Sequence, residues 1–84
     1  MRAWYLVFTE VTAGKYNDLS QLLEVPLLSL TEEAARGEAK RKLAEIIGKI
    51  DADFENRKKT NPTGHFAKKW VENPHLVLKA PLLL

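Results

Sequence analysis

The 84-residue sequence predicts an α+β domain: a small antiparallel β-sheet with one long and one short helix packed on one face, in the order β-β-α-α-β. Three observations carry that reading. Apolar residues recur at helical spacing through the middle of the chain, a β-branched and aromatic run stands near the N-terminus, and a second alternating run follows Pro74.

The helical stretch runs from Thr31 to Lys59. Its stripe is Ala35, Ala39, Leu43, Ile46, Ile47, Ile50 and Phe54, a spacing that gathers side chains on one helix face and would scatter them over both faces of a strand. The opposite face carries Arg36, Glu38, Lys40, Arg41, Lys42, Glu45 and Lys49. Two starts fit: a capping box of Ser29 and Glu32, or a Thr31 cap followed by Glu32 and Glu33. Arg57, Lys58 and Lys59 suit a helix C-terminus, and Asn61-Pro62 stops it. The i,i+4 pairs Glu38–Lys42, Glu45–Lys49 and Glu55–Lys59 each add about 0.3 kcal/mol, so burial of the stripe must hold the helix in place. Gly48 weakens the helix, or marks a close crossing of a strand. At about 1.5 Å per residue the helix is long for so small a domain, so the part beyond Phe54 is expected to project, bend or meet a partner.

Ala3 to Val11 (AWYLVFTEV) reads as a strand, with Trp4, Leu6 and Phe8 directed at the helix and Tyr5, Val7, Thr9 and Val11 on the other face. Thr12 to Asp18 is a turn or loop. Leu19 to Leu30 fits an antiparallel strand in which Leu23, Val25 and Leu27 share a face, with Pro26 at an edge or bulge. A short helical turn over Leu19 to Leu23 is the alternative. After the long helix, Thr60 to Gly64 is a turn. Thr63 then caps a short helix from His65 to Glu72, in which Phe66 and Trp70 stand one turn apart as core residues. His75 to Ala80 is the last strand. Leu82, Leu83 and Leu84 either complete the sheet or fill a groove on another chain. No internal repeat or linker divides residues 1–84, which are read as one domain.

A chain of this length lies near the lower limit for a self-sufficient core, but 45% hydrophobic residues supply one without disulfides. There are no cysteines, so thiolate nucleophiles, thiolate zinc sites and iron–sulfur clusters are excluded. No secretory leader pattern and no apolar run of about 18 residues is present, which leads us to expect a soluble, cytoplasmic protein with no membrane partner. Net charge is +2, but it is unevenly spread. Residues 1–56 hold seven Lys/Arg against ten Asp/Glu, and residues 57–84 hold six against one.

Catalytic patterns are lacking. His65 and His75 are ten apart and match no metalloprotease spacing; surface or hydrogen-bonding roles suit them better than metal ligation. Of Asp51, Asp53 and Glu55, only Asp51 and Glu55 share a helix face, and two acids one turn apart are simplest as a solvated pair. No glycine-rich phosphate loop or Ser/His/Asp ordering is found. Neither enzymatic activity nor a cofactor is expected. The functional candidate is the basic-aromatic end: Arg57, Lys58, Lys59, Lys68, Lys69 and Trp70. Cations of this kind steer acidic partners or contact phosphates, and an aromatic ring stacks on bases or anchors a protein interface. A solvated charged surface is the blander reading of the same residues.

A strand beginning at Met1-Arg2-Ala3-Trp4-Tyr5-Leu6-Val7, and a second ending Leu28-Ser29-Leu30 that runs into Thr31-Glu32-Glu33-Ala34-Ala35, give the first half of the chain a layout that resembles small phage-encoded host-takeover and anti-CRISPR proteins. The resemblance is one of layout and size and carries no functional residues across. It implies a non-enzymatic inhibitor that binds a host protein or nucleoprotein by steric occupation. The sequence leaves two alternatives open: a nucleic-acid-binding domain using the basic patch at 57–69, and a structural homo-oligomer joined through the apolar C-terminal tail.

Overall fold

The architecture is a three-stranded antiparallel sheet with one long helix laid across one of its faces. The computed structural model describes residues 2–14, 18–60 and 67–80. In chain order the elements are β1 (Ala3–Ala13), β2 (Asp18–Pro26), α1 (Glu32–Thr60) and β3 (Lys68–Lys79). β1 is central, in the order β2-β1-β3, and both neighbours run antiparallel to it. The predicted α+β class and the first three elements stand, but the order is β-β-α-β and there is one helix among the described residues.

The first strand forms for the expected reason. Trp4, Leu6 and Phe8 face the helix, and Leu6 and Phe8 join Leu27, Ala35 and Ala39 in the buried core. Phe8 is the largest fully buried side chain, and burying a group of its size contributes about 2–3 kcal/mol. Opposite it stand the smallest side chains of the helix stripe, Ala35 and Ala39, so backbone and sheet approach closely. β2 is a strand throughout, which removes the alternative of a helical turn at its start. Its register with β1 is unbroken from Tyr5↔Pro26 to Ala13↔Asp18. Pro26 ends this edge strand where no ladder bond is lost, and the Leu27 N–H then donates to the Trp4 carbonyl at 2.9 Å as its side chain enters the core.

Thr31 caps α1. Its Oγ1 accepts from the Ala34 N–H at 3.2 Å, and its carbonyl accepts from the Ala35 N–H at 2.9 Å. Ser29 is therefore not the cap; its hydroxyl is used elsewhere. The stripe is borne out at Ala35, Ala39, Leu43 and Ile46, with Ile50 and Phe54 half-buried further along. Ile47 departs from it and is 41% exposed, because a narrow sheet covers only one side of a helix. The salt bridges on α1 are Glu32–Arg36 at 3.0 Å and Asp53–Arg57 at 3.1 Å; of the three anticipated pairs, Glu38–Lys42 acts at longer range, Lys42 helping to lower the Glu38 pKa. A Cβ on Gly48 would meet nothing within 4 Å, so no strand crosses there.

The predicted short helix from His65 to Glu72 is overturned. Residues 68–72 belong to β3, which extends the expected last strand back to Lys68; Thr63, His65 and Phe66 lie outside the described residues. Asn73-Pro74 does not end a helix. It forms a β-bulge, with Val7 opposite His75 and Thr9 opposite Glu72, so that two residues of β3 oppose Phe8 alone. Asn73 has φ 52°, a left-handed conformation that asparagine tolerates better than most residues. Pro74 has no N–H and sits on an edge strand, where it is tolerated.

The bulge reverses the facing of the strand. On its far side Leu76 and Leu78 lie opposite Leu6 and Trp4, toward the helix. On its near side Val71 lies opposite Glu10 and faces the helix, whereas Trp70 lies opposite Val11 and faces away from it. The expected core position of Trp70 is thus corrected: its side chain is 40% exposed on the helix-free face. The predicted turns at 60–64 and the Leu82–Leu84 tail fall largely or wholly outside the described residues.

Candidate binding surfaces

Four of the six residues of the basic-aromatic end, Arg57, Lys68, Lys69 and Trp70, border one open cleft, and Lys58 and Lys59 lie outside it. The late part of α1 overhangs the bulge-proximal half of β3, leaving an open cleft between them. Glu10, Lys49, Ile50, Asp53, Phe54 and Arg57 line it together with Lys69 and its neighbours. Arg57 is paired with Asp53, and Lys69 reaches Glu10 at 3.7 Å on the helix-facing side of the sheet. Lys58 lies over the Phe54 ring at 5.6 Å from its centroid, and Lys59 is exposed near the end of the helix. Lys68 lies opposite Ala13, on the same side as Trp70, and the Trp70 indole N–H donates to the Glu72 carboxylate at 2.8 Å.

Charge in the cleft is mixed. Four carboxylates (Glu10, Asp51, Asp53, Glu55) stand among four cations (Lys49, Arg57, Lys68, Lys69). A channel built for nucleic-acid phosphates gathers one sign of charge, and this one alternates.

The second surface is the sheet face away from the helix. Register places Tyr5, Val7, Thr9 and Val11 of β1 on it, flanked by Leu22 and Glu24 of β2 and by Trp70, Glu72, His75 and Val77 of β3. Val7 is buried at 4% exposure although it faces away from the helix; Glu24 and His75 stand directly opposite it on the two sides. Lys79 spans the upper part of the face. Its ammonium lies 4.7 Å from the Tyr5 ring centroid and donates to the Glu24 carboxylate, linking β3 to β2 over β1. Lower down, Trp70, Thr9, Val11 and Leu22 form an apolar and aromatic strip with no element of the described chain above it.

Two further polar groups, His75 and Glu38, make structural hydrogen bonds. The His75 Nδ1–H donates to the Asn73 carbonyl at 2.7 Å and braces the bulge. Glu38, placed by helical periodicity on the polar face, is instead buried and turned back toward the β2–α1 connection. Its carboxylate accepts from the Leu28 N–H at 2.9 Å, the Ser29 N–H at 2.9 Å and the Ser29 hydroxyl at 2.7 Å. The Leu28 amide, then the Ser29 hydroxyl, hold its pKa below the ordinary carboxylate value despite the opposing effect of burial. Among the described residues no three His, Asp or Glu side chains gather as a metal site, and no helix is long and apolar enough to cross a membrane.

Sequence reasoning placed the first half of the open face but missed its β3 border. The one signal was Asn73-Pro74, which reads equally as a helix stop or a strand bulge. No protein-family model matches the chain, and no curated protein or solved structure matches it.

Proposed function

We propose that this chain is a small non-enzymatic binding protein, of the phage or mobile-element kind its layout suggests, that modulates a host protein or nucleoprotein by occupying one of its surfaces. The observation that carries this reading is the open sheet face. A two-layer domain covers one side of its sheet, and here the other side carries Trp70 at 40% exposure beside Thr9, Val11 and Leu22. An apolar strip with an aromatic at its border and charged groups around it has the composition of a protein interface, in which one or two aromatic anchors contribute most of the affinity. The cations at the end of α1, Lys58 and Lys59, contribute steering toward an acidic partner.

Direct binding of nucleic acid through residues 57–69 is the competing reading. The interleaving of those cations with Asp53, Glu10 and Glu55 counts against it.

Affinity capture from lysate, with and without nuclease and at low and moderate salt, separates the two. The proposal expects a defined protein that stays bound after nuclease treatment. Nucleic acid alone, lost as salt is raised, would replace the proposal with the competing reading.

A further inference from the structure

The two edges of the sheet are not equivalent. β3 is blunted in the ways that exposed edges commonly are: a bulge, Pro74, and Lys68, Lys69 and Lys79 along its length. β2 is not. Its register with β1 is continuous, and Leu19 to Leu23 (LSQLL) contains no charge, proline or glycine. All five of those residues except Leu23 are exposed, with Leu19 at 67% and Leu22 at 63%.

The hydrogen-bond phase of that edge follows from one contact. Leu27 donates to Trp4, and antiparallel pairs alternate between bonded and non-bonded. Val25, Leu23, Gln21 and Leu19 therefore bond inward to β1, while the amides and carbonyls of Ser20, Leu22 and Glu24 point outward. Among the described residues no hydrogen bond reaches them.

We propose that β2 pairs antiparallel with β2 of a second copy of this chain about a two-fold axis through Leu22, making one six-stranded sheet. The pattern of the strand is self-complementary in this register alone. Side chains must keep to their own faces, so each residue has to meet one of the same parity. With Leu22 opposite its own copy, Ser20 meets Glu24, Leu19 meets Val25, Gln21 meets Leu23, and Asp18 meets Pro26. All nine residues are paired, and the outward groups of Ser20, Leu22 and Glu24 bond to one another. Moving the axis to Gln21 sets Asp18 against Glu24, two like charges directly opposed. Moving it to Leu23 leaves Asp18 and Leu19 unpaired. The axis at Leu22 also lays two open faces side by side.

An edge junction of this length buries area at the low end of specific interfaces, below about 1,200 Å², so a reversible micromolar dimer is expected. The full chain contains no cysteine, so a single introduced thiol reports the register. Leu22→Cys places two sulfurs on Cα atoms about 5.5 Å apart, inside the disulfide range of about 4.4–6.8 Å. Ser20→Cys places its two copies four residues out of step, about 13 Å apart. The expected result is a dimer by light scattering at tens of micromolar (order of magnitude), rapid oxidation of Leu22→Cys to a covalent dimer, and at least about tenfold slower oxidation of Ser20→Cys. Leu22→Arg, which sets two like charges against each other on the axis, is expected to give a folded monomer by circular dichroism and light scattering. A wild-type chain that stays monomeric, with equal oxidation of the two cysteine variants, would overturn the proposal. So would a dimer that Leu22→Arg leaves intact.

Discussion

Ser29 and Glu38 close the connection between the sheet and the helix: the Ser29 hydroxyl donates to the Glu38 carboxylate at 2.7 Å and the Ser29 N–H donates to it at 2.9 Å. With the Leu28 N–H also on this carboxylate, a side chain from the second turn of the helix satisfies the amides of the loop that precedes it. This contact ties the start of α1 to the chain that leaves β2, beside the stripe of Ala35 and Ala39 that meets the core with Phe8.

That carboxylate gives the fold a dependence on acid. The Glu38 pKa is lowered on folding, chiefly by the Leu28 amide and the Ser29 hydroxyl, so its contribution is fully present above the ordinary carboxylate value and is lost as pH falls through the folded value. Glu38→Gln is expected to be less stable than the parent at neutral pH, with the difference narrowing in acid. Urea unfolding at neutral pH and well below 4.5 checks this; a difference that is constant across pH would show that the charge of Glu38 is immaterial.

Core and off-stripe positions separate by energy. Phe8→Ala is expected to cost about 3–5 kcal/mol, whereas Ile47→Ala should stay within roughly 1 kcal/mol because its side chain is partly exposed and alanine favours the helix. Similar losses at both positions, measured by denaturant titration, would place Ile47 in an interface the two-layer description omits.

Gly48 offers a gain. A Cβ there meets nothing within 4 Å, so Gly48→Ala is expected to stabilise the protein by about 0.5–1 kcal/mol through helix propensity and a less flexible unfolded chain. Thermal unfolding reads the sign directly.

The bulge depends on backbone conformation at Asn73. At φ 52°, Asn73→Ala is expected to cost about 1 kcal/mol and Asn73→Gly nothing or a small gain. An equal loss in both variants, by urea unfolding, would mean that the asparagine side chain and not the left-handed backbone matters.

The fold was legible where one residue period was unopposed by another. Leu6 and Phe8 alternate against a helix stripe anchored by Ala35 and Ala39, and both patterns are met in the core. Trp70 was misplaced because its spacing of four from Phe66 satisfies a period of two as well as one of 3.6, and because a bulge resets alternation without altering composition. Glu38 was misread because helical periodicity assigns a face but not the loop amides that come to lie against it. The basic residues are visible in the sequence, and so is the i,i+4 spacing of Asp53 and Arg57 on α1; that Lys69 meets Glu10 is not, since that contact depends on the pairing register of β3 with β1.

The most direct measurement compares capture of the bound protein by two double variants, each first shown to be folded by circular dichroism. Thr9→Arg with Trp70→Ala alters the open sheet face, and Lys58→Glu with Lys59→Glu reverses charge at the helix end. The face variant is expected to lose the captured protein after nuclease treatment, at least about tenfold, while the charge variant keeps most of it and binds more slowly. Capture that survives the face variant and disappears with the charge variant would contradict the proposal.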